Sequence, residues 1–176
     1  MNAFNQVLMK IRLIIGLGNP GKEYQNTYHN VGFLFVDYLK NSPLTSNFSP
    51  LKSNVYMNES GSFVARELKK RGLKPEALLI AHDDSDIELS KFKLSFGRGA
   101  AGHKGAESVI KALKTEDFWR FRIGIRPEAK NEKGEAKRLK AGEFVLKKIT
   151  AAHARTLKQV FEEGAKRLVQ SIQNSP

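Results

Sequence analysis

The sequence predicts a single-domain α/β fold: a twisted, mixed β-sheet flanked by helices. Three observations carry that prediction. The short apolar runs at 13–15, 78–81 and 121–125 read as buried strands. Segments with apolar residues at helical spacing lie between them, and that interleaving is the mark of an α/β chain. A further run at 91–96 alternates strictly, with Phe92, Leu94 and Phe96 on one face and Lys91, Lys93 and Ser95 on the other. Such alternation belongs to a half-exposed antiparallel strand, which makes the sheet mixed. The 176 residues hold no domain-sized linker and no internal repeat. One domain is therefore expected over 1–176, with its core at about 11–173.

The elements follow in order. Residues 7–17 are apolar except for Lys10 and Arg12, and their centre, Leu13-Ile14-Ile15, reads as a central strand. A glycine-rich polar loop follows. Val31, Leu34, Phe35, Tyr38 and Leu39 then mark a helix over 30–40. The Ser-, Asn- and Pro-rich stretch 41–53 reads as loop, with at most a short strand at 48–51. A helix is expected over 62–71, with Phe63, Val64 and Leu68 inward and Gly72 ending it. The strand at 78–81 delivers His82, Asp83, Asp84 and Asp86 to its end. After the loop 97–102 a helix over 106–113 buries Val109, Ile110 and Leu113. Residues 127–141, charged and poor in apolar side chains, read as a mobile loop or lid. Thr150 can cap a long last helix whose apolar stripe is Leu157, Val160, Phe161, Leu168 and Ile172.

Composition narrows the function. There is no cysteine, which excludes disulfides, a thiol nucleophile and Cys-based metal sites. No apolar run is long enough to span a membrane, so no membrane partner is expected. The apolar part of the N-terminus reads as the first strand rather than a signal peptide. The formal net charge is +12, and residues 91–148 hold 16 Lys and Arg against 7 Asp and Glu. A plain solvated surface would accommodate this, yet charge so far from balance favours a polyanionic partner. Charge alone does not separate RNA, DNA and anionic lipid.

The segment 16–30 carries the chemistry. Gly16, Gly18 and Gly21 match the dinucleotide pattern GxGxxG. The match is weak, because a Rossmann helix should begin after Gly21 and the next nine residues, KEYQNTYHN, are polar. Asp37 falls inside the next predicted helix rather than at a second strand end, and no P-loop is present. His29 and Asp83 form the candidate reacting pair. A carboxylate holding one imidazole nitrogen leaves the other free to take a proton from water. The same pair would serve equally as a structural contact. No serine stands in a nucleophile-elbow pattern, so water is the expected nucleophile. His82 fits the core as well as a site, His103 fits a helix cap, and His153 fits the surface. A metal would require His29, His82, Asp83 or Asp86 to converge, and no metal-ligand spacing such as HExxH occurs, so none is expected. Asn19, Asn30 and Asn58 offer amides that read peptide or nucleotide edges, or simply stabilise turns. Lys93, Arg98, Lys104, Arg120, Arg122 and Arg126 supply phosphate contacts if their strands are neighbours.

The chain resembles the bacterial-type peptidyl-tRNA hydrolase family. The resemblance rests on blocks that keep their order over most of 11–170: GLGNPGKEYQNTYHNVG at 16–32, YMNESG at 56–61, AHDDSDI at 81–87, KFKL at 91–94, GAAGHKG at 99–105, FWRFRIGI at 118–125 and EFVL at 143–146. It implies a monomeric, cytoplasmic α/β enzyme without cofactor or metal. That enzyme cleaves the ester joining a peptide, or an N-blocked amino acid, to the terminal ribose of tRNA, and so returns tRNA to use after abortive translation. It also implies roles for single residues. His29 is the base and Asp83 orients it. Asn19 and Asn58 hold the peptide end, with Asn58 the candidate oxyanion donor. Tyr24, Met57, His103 and Lys104 shape the substrate cleft. Lys93 and Arg122, with Arg98, grip tRNA phosphate. The alternative is a non-catalytic RNA-binding relative of the same fold. Three departures stand out. Lys104 occupies the position where the family usually has Asn, and a cation there should lower the pKa of His29. Tyr28 precedes the histidine where Arg is usual. The stretch between His29 and Met57 is shorter than usual, as though edge strands were missing.

Overall fold

The computed structural model describes residues 11–43, 48–128 and 139–173, without the side chains of 171–173. Nine principal elements are β1 (Leu13–Gly16), α1 (Val31–Lys40), β2 (Ser49–Lys52), α2 (Ser60–Arg71), β3 (Leu78–Glu88), β4 (Phe92–Phe96), α3 (Lys104–Leu113), β5 (Trp119–Arg126) and α4 (Ala151–Gln173). The strands form one sheet in the order β2-β1-β3-β5-β4. All neighbours run parallel except β4, which is antiparallel to β5, as its alternating pattern requires. β2, on the shortened stretch, is a four-residue edge strand containing Pro50, a composition that blunts an edge.

Each face of the sheet buries its own apolar cluster. Ile14, Leu79, Phe121 and Ile123 meet Phe35 and Leu39 of α1 and Phe161 and Leu168 of α4. Leu13, Ile15 and Ile80 meet Val64 and Leu68 of α2 and Val109 of α3. The helices thus cover both faces in three layers, as parallel strands demand. The Gly-rich run that imitates a nucleotide fingerprint has a packing role in this architecture. A Cβ on Gly32 would lie 2.3 Å from the carbonyl oxygen of Ala81, and one on Gly16 would lie 2.2 Å from that of Gly32. Bare backbone at both positions lets the start of α1 press onto β1 and β3.

Several expected boundaries move. β3 continues to Glu88 instead of ending at Ala81. His82, Asp83 and Asp84 pair with β5 in register with Arg122, Ile123 and Gly124, so these polar residues are strand rather than loop. The Asp83 and Asp84 side chains find polar partners on other elements, which is what lets charged residues extend a buried central strand. α3 starts at Lys104 and α2 at Ser60, each two residues before its expected start. The Thr150 hydroxyl accepts the His153 N–H, capping α4 as read from the sequence. Residues 7–10 of the first strand reading, the side chain of Ile172 and most of the expected lid at 127–141 lie outside the described residues.

Candidate active site

Polar side chains of the loop 19–30 satisfy backbone groups that the sheet cannot. The Asn30 carboxamide brackets Asn19, accepting its N–H at 2.9 Å and donating to its carbonyl at 2.9 Å. Asn19 in turn uses its side-chain Oδ1 to accept the Met57 N–H at 2.9 Å. That bond ties the loop to the turn before α2 and leaves Nδ2 as the Asn19 donor. A second tie holds the loop to 145–149, where the His29 N–H donates to the Val145 carbonyl at 2.8 Å and the Ile149 N–H to that of Asn26 at 2.7 Å. The polarity that speaks against a Rossmann helix is thus the means by which His29 is fixed. Tyr28 does not face the site: it is buried, packs edge-on against Phe144 and hydrogen-bonds the His153 ring. His153 is therefore a partner of the core rather than plain surface.

Two histidines share one carboxylate oxygen. Asp83 Oδ1 lies 2.9 Å from His29 Nδ1 and 2.8 Å from His103 Nε2. His103 Nδ1 accepts the Ala106 N–H and caps α3, so in the neutral ring the proton sits on Nε2 and is donated to Asp83. His29 donates through Nδ1, and its Nε2 stays available as an acceptor. Burial pushes Asp83 toward a raised pKa, but the charge and hydrogen bonds of His103 and His29 outweigh it and hold the carboxyl far below the usual range. Burial likewise works to lower the pKa of His29. The hydrogen bond and charge of Asp83 more than offset that and leave it above its ordinary value. Lys104 lowers it, as anticipated from sequence, yet does not decide the net direction. The donor atoms of His29, Asp83 and His103 lie within 4.8 Å of one another, close enough to hold a metal ion. The proton arrangement opposes this, because a metal on His103 Nε2 would displace its proton to Nδ1 and break the helix cap. Of the four residues whose convergence a metal would require, His29 and Asp83 belong to this cluster, His82 and Asp86 do not, and His103 joins it. Asp86 is exposed, and its N–H donates to Asp84.

His82 is fully buried in the strand. Its Nδ1 donates to the Asp83 carbonyl, and its Nε2 has no partner among the described residues. Burial first, then the neighbouring His103, keeps its pKa well below the ordinary value.

A cavity of about 620 Å³ opens above this cluster. Its walls include His29, Asn19, Met57, Asn58, His103 and Lys104, so six residues expected from sequence share one space with Asp83 at its floor. Tyr24 does not line it. Its ring packs edge-on against Tyr56, which does. Sequence reading missed Tyr56 and Leu146, although both line this cavity and are the exposed large apolar side chains among the described residues. The cue for Leu146 was the EFVL block, whose carbonyls and side chains return to the histidine loop.

The basic pair stands beside the site. Lys93 and Arg122 are directly opposite one another across β4 and β5. Arg122 is not a bare cation: its Nε and Nη2 meet Asp84 Oδ2 at 2.7 and 2.6 Å. Arg98 is exposed in the loop before α3, whereas Arg120 is buried in the sheet and no surface contact.

A family model described as peptidyl-tRNA hydrolase matches residues 13–175. A peptidyl-tRNA hydrolase of Aquifex aeolicus is 34% identical over 187 aligned positions, covering 96% of this chain and 93% of the relative. One from a Sulfurihydrogenibium species is 38% identical over 162 positions, covering 80% and 86%. Among solved structures, peptidyl-tRNA hydrolase from Acinetobacter baumannii superposes with a TM-score of 0.75 at 31% identity, covering 94% of this chain and 90% of that one.

Proposed function

This chain belongs to the peptidyl-tRNA hydrolase family, and from that premise we propose how its residues divide the work. Its activity is hydrolysis of the ester between a peptide, or an N-blocked amino acid, and the 3′-terminal ribose of tRNA. The observation that carries the assignment of roles is the Asp83–His29 contact of 2.9 Å beneath a cavity into which Nε2 is free to accept a proton.

In the reaction, His29 Nε2 takes a proton from water as the water oxygen attacks the acyl carbon. Asp83 keeps Nδ1 protonated and offsets the charge of the imidazolium that forms. The carbonyl oxygen becomes an oxyanion, and the amides of Asn58 and Asn19 are the donors at hand for it. The tetrahedral carbon then expels the ribose oxygen, which recovers the proton from His29. The products are a carboxylic acid and tRNA with a free 3′ hydroxyl. An alkoxide on a vicinal diol is a tolerable leaving group, so no covalent enzyme intermediate and no metal is needed. Met57 and His103 shape the floor and wall. Tyr24 acts at one remove by backing Tyr56. Lys93, Arg122 and Arg98 contact tRNA phosphate, Arg122 using the N–H groups that Asp84 leaves free. We take residues 1–176 as one domain, monomeric and cytoplasmic. Among the described residues no helix is long and apolar enough to cross a membrane.

Hydrolysis in water enriched in heavy oxygen tests this scheme. Attack on the acyl carbon puts the label in the carboxylate of the released N-acetyl amino acid and leaves the tRNA ribose unlabelled. Label in the ribose would overturn the scheme.

A further inference from the structure

The charges around the cavity differ in exposure: Asp83 and Asp84 are buried, and Lys104 is exposed. Asp84 is taken up by Arg122 at 2.6 Å, and the Asp83 carboxylate is shared by two histidine N–H groups. Lys104 is the single lysine or arginine among the described residues that line the cavity, and no ion pair among the described residues holds it. Its nearest acidic neighbour along the helix, Glu107, is in contact with Lys111 at 2.8 Å and feels Lys104 only through the longer-range charge interaction. Lys104 also stands in the first turn of α3, where a cation opposes the helix dipole. It weakens the proton affinity of the catalytic base as well. A residue that is locally unfavourable on two counts and exposed to the reaction space is a candidate for selection among substrates.

Resting on the reading of the site given above, we infer that Lys104 is a specificity-determining residue. Its exposed positive charge rejects tRNA esters that carry a free α-ammonium and admits those whose amine is acylated. The chemistry of the two substrate classes differs at that atom. In an unblocked aminoacyl ester the α-nitrogen sits two bonds from the scissile carbonyl carbon. When that carbon meets water at His29, the ammonium must therefore enter the same cavity as Lys104. Acylation turns the ammonium into a neutral amide and removes the repulsion. Both carboxylates in the cavity are buried, Asp83 beneath His29 and His103 and Asp84 against Arg122, so the exposed charge that an entering ammonium meets first is that of Lys104. Lys104 also borders a shallow groove lined by Asn58, Glu107, Ser108 and Lys111, where the Glu107–Lys111 pair is internally neutral. Rejection by charge of this kind discriminates by destabilising the wrong substrate rather than by tightening on the right one.

The test is a ratio. kcat/KM is measured for N-acetyl-aminoacyl-tRNA and for aminoacyl-tRNA of the same tRNA, with the uncatalysed rate subtracted, in the native protein, Lys104→Gln and Lys104→Arg. At pH 6.5 the preference for the blocked ester should fall by about tenfold in Lys104→Gln, the size expected of like charges a few ångström apart in a partly wet cleft. Lys104→Arg should retain the preference. In the native protein the preference should shrink between pH 6.5 and 8.5 as the α-amine, ordinarily near 7.7–8.0, loses its proton. In Lys104→Gln it should stay flat. A loss of phosphate contact or of general base strength would slow both esters alike and leave the ratio unmoved. An unchanged ratio in Lys104→Gln, with the native protein still cleaving the blocked ester, would overturn the charge filter alone. A native protein that cleaves neither ester would overturn the reading of the site and the filter with it.

Discussion

Replacing Asp83 by Asn isolates what the carboxylate charge does for the base. The amide keeps an oxygen that can accept from His29 Nδ1, so the ring retains its hydrogen bond while the charge is lost. Asp83 Oδ1 is 2.9 Å from His29 Nδ1. Unit charges centred about 4 Å apart at an effective dielectric near 20 interact by about 4 kcal/mol, or roughly three pH units of base strength. The His29 side chain is 18% exposed, and water in the cleft reduces that to about one or two units. The sign follows from the causes. Burial and Lys104 both lower the pKa of His29, and Asp83 alone raises it. Without the charge, the pKa of His29 should drop below its ordinary value instead of standing above it. In the proposed scheme the neutral ring is the base, so the acid limb of kcat/KM should move to lower pH by at least about one unit. The plateau should fall by about 10²-fold, since the imidazolium formed in the transition state loses its counter-charge. The assay is the pH profile of N-acetyl-aminoacyl-tRNA hydrolysis from pH 5 to 8.5. An acid limb that stays in place, or moves to higher pH, would refute the reasoning.

Two further outcomes follow from packing and from buried charge. Gly32→Ala should cost more than about 3 kcal/mol or prevent folding, because the new Cβ would meet two backbone oxygens that cannot yield; Gly142→Ala, which meets nothing within 4 Å, should change stability by less than about 0.5 kcal/mol, and urea unfolding compares them. His82 is held neutral when folded and protonates near pH 6.5 when unfolded, so the unfolded chain binds more protons below that pH. Stability should fall by up to about 1.4 kcal/mol per pH unit below pH 6.5 on this account, and His82→Gln should flatten that slope. His29 does not mask the effect, since its raised pKa gives stability that is fully present below about pH 6.5 and lost only as pH rises. Equal slopes in the two proteins from pH 6.5 to 5 would show that His82 is not the group responsible.

Periodicity revealed the layers of this fold because each strand and helix needs an apolar face on one side of a common core. It revealed the antiparallel β4 for the same reason, since Lys93 and Ser95 must leave that core. It failed at β3, where His82, Asp83 and Asp84 look like a strand end and are instead the middle of the longest strand. Polarity marks a loop only when water is the partner, and here the partners are Arg122, His29 and His103, which come from distant parts of the chain. The pairing of His29 with Asp83 could be anticipated because a glycine-rich loop after one buried strand and an acidic run in the next are brought together by a parallel sheet. The second histidine on Asp83 could not, because His103 reads equally well as a helix cap and serves as one at the same time. Tyr56 and Leu146 escaped notice because exposure of a large apolar side chain is a property of the folded surface and leaves no periodic trace. GxGxxG misled for a related reason: glycine serves close packing as well as it serves a phosphate, and only the close approach of Gly16 to the Gly32 carbonyl and of Gly18 to the Phe33 ring tells which.

The central claim is that His29, held by Asp83, activates the water that cleaves the ester. It is tested most directly by comparing the native protein with His29→Ala in the presence of a metal chelator, measuring both hydrolysis of N-acetyl-aminoacyl-tRNA and binding of the tRNA. The account predicts rapid hydrolysis by the native protein, a loss of at least about 10²-fold in the variant, and tRNA affinity that changes little. Hydrolysis by His29→Ala at the native rate would contradict it.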